Sequence, residues 1–507
     1  MQLQKERTSI EKIFYLIAAV IGTGIILRFS LGISGNDFWW HIKIGEWIVQ
    51  NQKVPDIGIF SWYAVSHNLG WVSHEWLSEV FLYWVYHLFG SLGIFIFSLA
   101  GCIGLIFLIM GLSKKKILGN ILLSSIFLLF ATIVLPIFFY GRPQIFSIYL
   151  LYFTLYCLYR YVQNQSKLIC WLPVISILWS NLHGGSSNMP YMLCLIFAVS
   201  GLFEFSFAHL ESHKSPLTQT ITLFAVAVAS FLATAVNPHG LKMLLYPYVN
   251  MADSLMLSFI SEWLSPDAKN IGDLILCFFP ILFVSLILLL TNKKIRLFDL
   301  ILFLFFAFIT FRSIRFILFF YIASSFLVFE YMPQGKVQSE LSKLAKVLIY
   351  CVCAFLLVVN ISSGSKIYSM AAQDNLITVS LDNKFISLIK QEKPQYLFND
   401  YDYSDSLIFN EIPTFMDARA DIFSKVNLTD AYYMMYLRKP GSMTSKPNAD
   451  VMSGSILDIE KIVAKYKFDA LLVKSDRSLA TYLLSHPEKY KLLLSDDNAS
   501  YFQVVSQ

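Results

Sequence analysis

Several short stretches of this chain carry residue types that do chemistry, and most of them fall where a hydrophobic run stops. Asp37 and His41 stand four apart just after the first such run, so on a helix they share a face. A carboxylate there can take a proton from a hydroxyl or bind a divalent cation, and an imidazole can assist either. The plain alternative for Asp37 is a helix cap, since Asn36 and Asp37 both cap well. His74 and Glu75 open a second helical stretch, with Glu79 one turn on. Glu75 is a second candidate carboxylate, and its alternative is an acidic first turn that suits the helix dipole. Arg142, Arg312 and Arg315 sit at similar junctions. A guanidinium is a permanently charged, planar fork of donors, which suits a phosphate, and snorkelling to headgroups is the competing role. Arg312 and Arg315 are three apart and face one way if helical. Asn181, His183, Asn237 and His239 lie beside glycines in turn-like sequences and can bind sugar hydroxyls or phosphate; as single residues they also serve as turn residues. Asp417 and Arg419 form an acid–base pair near a strand-like end, read as an acceptor contact or an intradomain salt bridge.

The elements that must position these residues are membrane helices. Of 507 residues, 56% are hydrophobic and only 14% charged, against about 25% charged in a soluble domain. Mean hydropathy is +0.59. The net charge of +5 is accounted for by loop lysines and arginines and argues for no nucleic-acid partner. The seven cysteines all lie in hydrophobic segments, with neither a disulfide framework nor a CxxC metal signature. The first apolar run, 13–31, is long enough to span and shows no small-residue cleavage site before Asp37, so it reads as a retained helix rather than a signal peptide.

About eleven spans are expected, near 13–32, 91–112, 118–139, 145–162, 168–182, 187–208, 217–236, 271–291, 297–311, 315–332 and 343–361. Lys and Arg cluster at alternate ends (Lys114–Lys116, Lys293, Lys294 and Arg296 among them), which places those ends and the N-terminus in the cytoplasm and the C-terminus outside. The fold class is therefore mainly α: a polytopic transmembrane bundle over 1–362, with a small external α/β domain over 363–507. The first external loop, 32–90, is expected to hold two helices near 37–52 and 70–88. Both are rich in Trp, which prefers the headgroup level, so both are expected to lie on the membrane surface. In the C-terminal domain, strand-like runs at 395–398, 415–416, 470–473 and 501–505 alternate with helical stretches such as 456–466.

The ordered motifs Asp37-Phe38-Trp39-Trp40-His41, Gly45-Glu46-Trp47-Ile48, Val54-Pro55-Asp56, Trp71-Val72-Ser73-His74-Glu75-Trp76-Leu77, Gly141-Arg142-Pro143-Gln144, Asn181-Leu182-His183-Gly184-Gly185, Asn237-Pro238 and Asp417-Ala418-Arg419-Ala420-Asp421 run almost the length of the chain. In them the chain resembles bacterial multi-span proteins of the GT-C superfamily of membrane glycosyltransferases. The resemblance implies a catalytic carboxylate in the first external loop, where Asp37 stands, with Glu75 or His41 assisting. It implies a polyprenyl-phosphate sugar donor whose phosphate is held by basic residues, here Arg142, Arg312 and Arg315, and transfer with inversion. His74, Asn181, His183, Asn237, His239, Asp417 and Arg419 are the candidates for sugar or acceptor contacts. The acceptor would be an envelope glycan, lipid or protein at the outer face of a bacterial cytoplasmic membrane. A divalent cation, Mg or Mn, is open, with Asp37, His41 and Glu75 as its candidate ligands. Two departures stand out: no acidic residue adjoins Asp37, and relatives tend to carry a Gly-Gly-Tyr run near Ser404–Ser406 and a Gly at Ala418. The rival readings are a lipid-linked glycan transporter or flippase, which should carry charges within its spans, and a non-catalytic assembly protein for envelope polysaccharide.

Overall fold

The computed structural model describes residues 37–119, 141–252, 260–333, 380–423, 427–437 and 452–505, with a few positions between 123 and 134. The spans expected near 13–32 and 343–361, and most of that near 118–139, lie outside the described residues. The chain divides into two compact units, one of 1–33, 85–247 and 262–377, the other of 34–84, 248–261 and 378–507.

The first unit is helical. Among the described residues, four helices are long and apolar enough to cross a membrane: Trp76–Gly111, Gln144–Asn164, Ile271–Leu290 and Ile314–Tyr331. The chain is a multi-pass membrane protein. Lys167–Leu182 and Leu217–Ala233 are shorter apolar helices. The expected span at 187–208 is a twelve-residue helix, Met189–Ser200, about 18 Å long at 1.5 Å per residue. It stops at Gly201, and polar Glu204 leads into a small sheet in which β1 (Phe205–Phe207) turns through His209 to pair antiparallel with β2 (Leu210–Ser212), and β2 pairs parallel with β3 (Ile295–Arg296). Two apolar segments that run together in sequence are thus cut short by a polar hairpin. The helix Trp76–Gly119 is broken at Gly90, whose φ of 61° and ψ of −155° only glycine adopts readily.

The second unit combines the loop 34–84 with the C-terminal residues. Its sheet has the order β4-β5-β7-β6, with β4 (Leu397–Asn399) parallel to β5 (Ala470–Lys474), and β7 (Ala499–Val504) antiparallel to both β5 and β6 (Tyr490–Ser495). Three of the four strand-like runs read from the sequence form these strands. The fourth, 415–416, does not. Its neighbour Thr414 makes one isolated bridge to Ser61, with Trp62 N–H donating to Thr414 O at 2.9 Å and Thr414 N–H donating to Phe60 O at 3.0 Å. β6 begins at Tyr490 and alternates poorly, which hid it.

The helix Phe38–Asn51 forms where expected, but its tryptophans do not face a membrane surface. Trp39, Trp40 and, from the later stretch, Trp71 are buried, and Trp40 and Trp71 join one core with Phe398, Phe415 and Phe468. Burial of an indole body in a protein core is worth more apolar area than a headgroup contact, and a sheet was available to pack on. Trp84 remains half exposed. Asp37 occupies the cap position but makes no side-chain cap hydrogen bond. The cap comes from Asp405, whose carboxylate accepts from Trp39 N–H at 3.1 Å and Trp40 N–H at 2.9 Å. Lys43 ties the same helix to Glu411 at 3.0 Å, and the Trp39 ring lies on Phe409 with centroids 4.0 Å apart.

Loss of an N-cap costs about 0.5–2 kcal/mol. Asp405→Ala should therefore lower the thermal unfolding midpoint of the detergent-purified protein, whereas Asp405→Asn, which keeps an accepting oxygen, should lower it less; an unchanged midpoint for Asp405→Ala would refute the assignment of the cap.

Candidate active site

In the second unit, three ionisable side chains meet without solvent. His41 is one turn into Phe38–Asn51, and Glu75 and Glu79 lie at the start of the helix that follows. All three are buried, Glu79 completely. His41 Nδ1 lies 3.4 Å from Glu79 Oε1 and 3.8 Å from Glu75 Oε2. Ser73 Oγ donates to Glu79 Oε2 at 3.1 Å, and His74 Nε2 lies 3.5 Å from Glu75 Oε1. The His41 ring packs on Trp40, centroids 3.7 Å apart. This meeting depends on Gly45, one turn after His41 on the same face: a Cβ there would lie 2.1 Å from Glu79 O and 2.7 Å from Tyr83 Cβ. No side chain larger than hydrogen fits between the two helices.

Arg419 adds a cation. It holds Asp417 in a two-point ion pair, Nε–Oδ1 2.8 Å and Nη2–Oδ2 2.6 Å, and stacks over Trp71 at 4.7 Å and Phe60 at 5.3 Å. Its Nη1 is buried with no hydrogen-bond partner among the described residues. The segment bearing the pair is fixed by Asn399 at the end of β4, whose amide donates to Met416 O at 3.0 Å and accepts from Phe415 N–H at 2.8 Å.

The nitrogen and two carboxylates of His41, Glu75 and Glu79 all lie within 4.8 Å of one another. A divalent cation bound by such hard donors at about 2.0–2.6 Å needs only a small closing of this triangle, so the donor set fits. The grouping differs from the expected one: Glu79 takes the third position, and Asp37, partly exposed at the helix start, is not in it. The sequence signal for Glu79 was present in its spacing of four from Glu75.

In the first unit, a second constellation gathers Arg142, Glu262, Arg315 and His183. Arg142 Nη1 lies 2.6 Å from Glu262 Oε1, and Arg315 Nη1 lies 3.8 Å from Glu262 Oε2. Burial by itself would raise the Glu262 carboxyl; the charges of Arg142 and Arg315 outweigh it and hold the group below the ordinary carboxylate value. Arg315 Nη2 reaches His183 Nε2 at 3.4 Å and stacks over Trp263 at 5.0 Å. His183 Nδ1 lies 2.6 Å from Ser147 Oγ and 3.0 Å from Ser186 Oγ, and Trp179 Nε1 donates to Ser147 Oγ at 2.7 Å. Arg312 stands apart. Ser313 is extended (φ −158°, ψ 128°) and ends the helix Leu297–Arg312, so the two arginines are not on one helical face, and Arg312 is exposed. Asn181, Asn237 and His239 fasten one turn to another: Asn181 Nδ2 donates to Val236 O at 2.8 Å, Asn237 Nδ2 to Ser180 O at 2.7 Å, and His239 N–H to Asn237 Oδ1 at 2.9 Å. No spacing in the sequence pointed to Glu262 or Ser147.

The helical bundle with its small mixed sheet is a fold that the chain shares with a solved membrane enzyme. The similarity is to the archaeal oligosaccharyltransferase AglB from Archaeoglobus fulgidus, solved in complex with an inhibitory peptide and a dolichol-phosphate: TM-score 0.52 at 11% identity, over 97% of this chain and 74% of that one. Neither a family model nor a curated protein sequence matches the chain.

Forcing a methyl into a packed contact destabilises by about 1–3 kcal/mol. Gly45→Ala should accordingly lower the unfolding midpoint by several degrees, whereas Gly70→Ala, where the nearest atom to the new Cβ is 4.0 Å away, should not. Unchanged behaviour of Gly45→Ala would show that the two helices are not held at this separation.

Proposed function

We propose that the chain is a membrane glycosyltransferase that moves a sugar from a polyprenyl-phosphate-linked donor to an envelope glycan, lipid or protein at the outer face of a bacterial cytoplasmic membrane. The observation that carries this reading is the buried His41–Glu75–Glu79 cluster. Burying three ionisable groups together is unfavourable for folding alone, and such clusters concentrate at functional sites. The fold likeness to an enzyme solved with a dolichol-phosphate supports the donor class.

In the proposed reaction the acceptor hydroxyl oxygen attacks the anomeric carbon, the bond from that carbon to the phosphate oxygen breaks, and the polyprenyl phosphate leaves with the bonding pair. The hydroxyl proton passes to Asp37, which stands partly exposed at the start of the helix that carries His41. Glu75 and His41 assist by orienting the acceptor, and attack from the face opposite the phosphate inverts the anomeric centre. Arg142 and Arg315 stabilise the charge that grows on the leaving phosphate. His41, Glu75 and Glu79 would hold a divalent cation, Mg or Mn, which when bound would supply further positive charge. His74 and Arg419 are proposed to contact sugar or acceptor, with Asp417 orienting Arg419. Asn181, Asn237 and His239 act by holding the turns next to His183.

Transfer of radiolabelled sugar from a panel of polyprenyl-phosphate sugars tests the proposal. Asp37→Asn should reduce turnover by about 10²–10⁴-fold, the usual contribution of a positioned acid or base, and Glu75→Gln should reduce it as well through lost orientation, each with the unfolding midpoint retained. Arg142→Gln and Arg315→Gln should raise the donor KM, and a chelator should abolish turnover if the cation takes part. Full transfer by the Asp37 and Glu75 variants, or no transfer from any donor by a folded protein that binds the lipid, would favour a transporter or an assembly protein.

A further inference from the structure

A second feature of the first unit lies at the far ends of the two helices whose starts follow Arg142 and Arg315. There the helices Trp76–Gly119, Gln144–Asn164 and Ile314–Tyr331, with Arg296, enclose a cleft of about 250 Å³. Arg160 on its rim is about 27 Å from Arg142 along the helix, at 1.5 Å per residue. The cleft follows Gln144–Asn164 from Gln163 back to Tyr152, about 16 Å by the same rise. Its character changes over that length: Arg160, Gln163 and Arg296 stand at the rim, and Ile109, Tyr152 and Phe326 wall the inner part.

Arg296 is set in place at this rim. Asp299, fully buried, accepts from Arg296 Nε at 2.7 Å, from Tyr331 Oη at 2.5 Å and from the Tyr159 hydroxyl. Tyr331 Oη in turn accepts from Arg296 N–H at 3.0 Å, and the guanidinium stacks over Phe298 at 4.7 Å. Among the described residues no hydrogen bond occupies the Arg296 Nη groups, since Asp299 holds the guanidinium through Nε. Arg160 is exposed, and Glu330, the acid on the rim, has Lys293 as a counter-ion at 3.1 Å. A buried acid with three donors, holding one edge of an arginine at the mouth of an aromatic cleft, is more structure than a snorkelling side chain needs.

Guanidinium groups at the water end suit a phosphate, and the apolar length behind them suits a hydrocarbon chain. A free phosphate or nucleotide would use the rim and leave the inner walls bare. Arg160, Lys167, Lys293, Lys294 and Arg296 mark this end as the one expected in the cytoplasm, where anionic lipids collect and basic pockets between helices take their headgroups. We propose that the cleft binds an anionic phospholipid, its phosphate on Arg160 and Arg296 and the upper part of one chain between Tyr152 and Phe326. Pockets that enclose a whole ligand run from about 300 to 1,000 Å³, so the rest of the lipid lies along the helices. The site is separate from the proposed donor site and does not depend on the glycosyltransferase reading.

The test is native mass spectrometry of the full-length protein in an uncharged detergent, titrated with phosphatidylglycerol or phosphatidylcholine. Wild type should bind the first phosphatidylglycerol at least about fivefold more tightly, the effect of one well-placed basic residue on an anionic headgroup. Arg160→Gln should bring the two lipids level, and Lys167→Gln, the same charge change at the same end but outside the cleft, should not. Tyr156→Glu, which puts a carboxylate on the half-buried cleft wall, should remove the preference by a second route and keeps the test open if one variant fails to fold. Excess inorganic phosphate should leave the bound lipid in place. Equal losses in Arg160→Gln and Lys167→Gln, or no preference in wild type, would reduce the cleft to a diffuse basic surface and overturn the proposal. Displacement by inorganic phosphate would do so in favour of a free-phosphate site, and displacement by an equal concentration of polyprenyl phosphate in favour of a carrier-lipid site.

Discussion

The helix Phe38–Asn51 is held at its start by a carboxylate that lies 366 positions later in the chain. Asp405 accepts from the N–H groups of Trp39 and Trp40, two of the donors that a helix start leaves without internal partners. Position and rotation of the helix follow from that anchor. His41 is one turn further on and inherits its direction; Gly45, a turn later, decides how near the neighbouring helix can come. The acidic cluster is thus a product of contacts made at two points along one helix, the Asp405 cap and the close approach at Gly45, and both are indifferent to the chemistry of the cluster.

Such a cluster needs its surroundings dry and its charges balanced. Trp40 and Trp71 are buried in the same core as Phe398 and Phe415, and Arg419 lies over Trp71 with Asp417 as its own counter-ion. Aromatic rings do two things here: they exclude water, which strengthens every charge interaction nearby, and they offer a face to a guanidinium. A tryptophan at a membrane surface would do neither. The burial of Trp39, Trp40 and Trp71 therefore belongs to the same design as the acids they enclose.

The arginine constellation is made by a different device. One extended residue, Ser313, separates two arginines that a continuous helix would have put side by side. Arg312 stays exposed at the end of its helix, and Arg315 starts a new turn that brings it to Glu262 and His183. Hydrogen bonds from Ser313 Oγ and Ile314 N–H then fasten the Glu262 segment to the same turn. Backbone breaks of this kind are tolerated near a membrane where they are buried in protein and their polar groups find partners.

The sequence by itself determined the class. Apolar run lengths specify membrane helices because the hydrocarbon core sets a fixed length, and alternating Lys and Arg clusters carry an expected orientation, because charge at a loop resists crossing. It also supplied His41 and Glu75, and the strand-like runs at 395–398, 470–473 and 501–505, which overlap the strands at 397–399, 470–474 and 499–504 because a short apolar run is a local signal. Tertiary structure decided the rest. That Asp405 rather than Asp37 caps the helix, that Glu79 completes the cluster, that Arg315 and not Arg312 meets Arg142 through Glu262, and that a loop and a C-terminal region form one compact unit are all contacts between residues tens to hundreds of positions apart. Periodicity records only which face a residue shares with its near neighbours. It is silent on which distant surface that face meets, because that choice is made by packing and by the partners that buried polar groups must find.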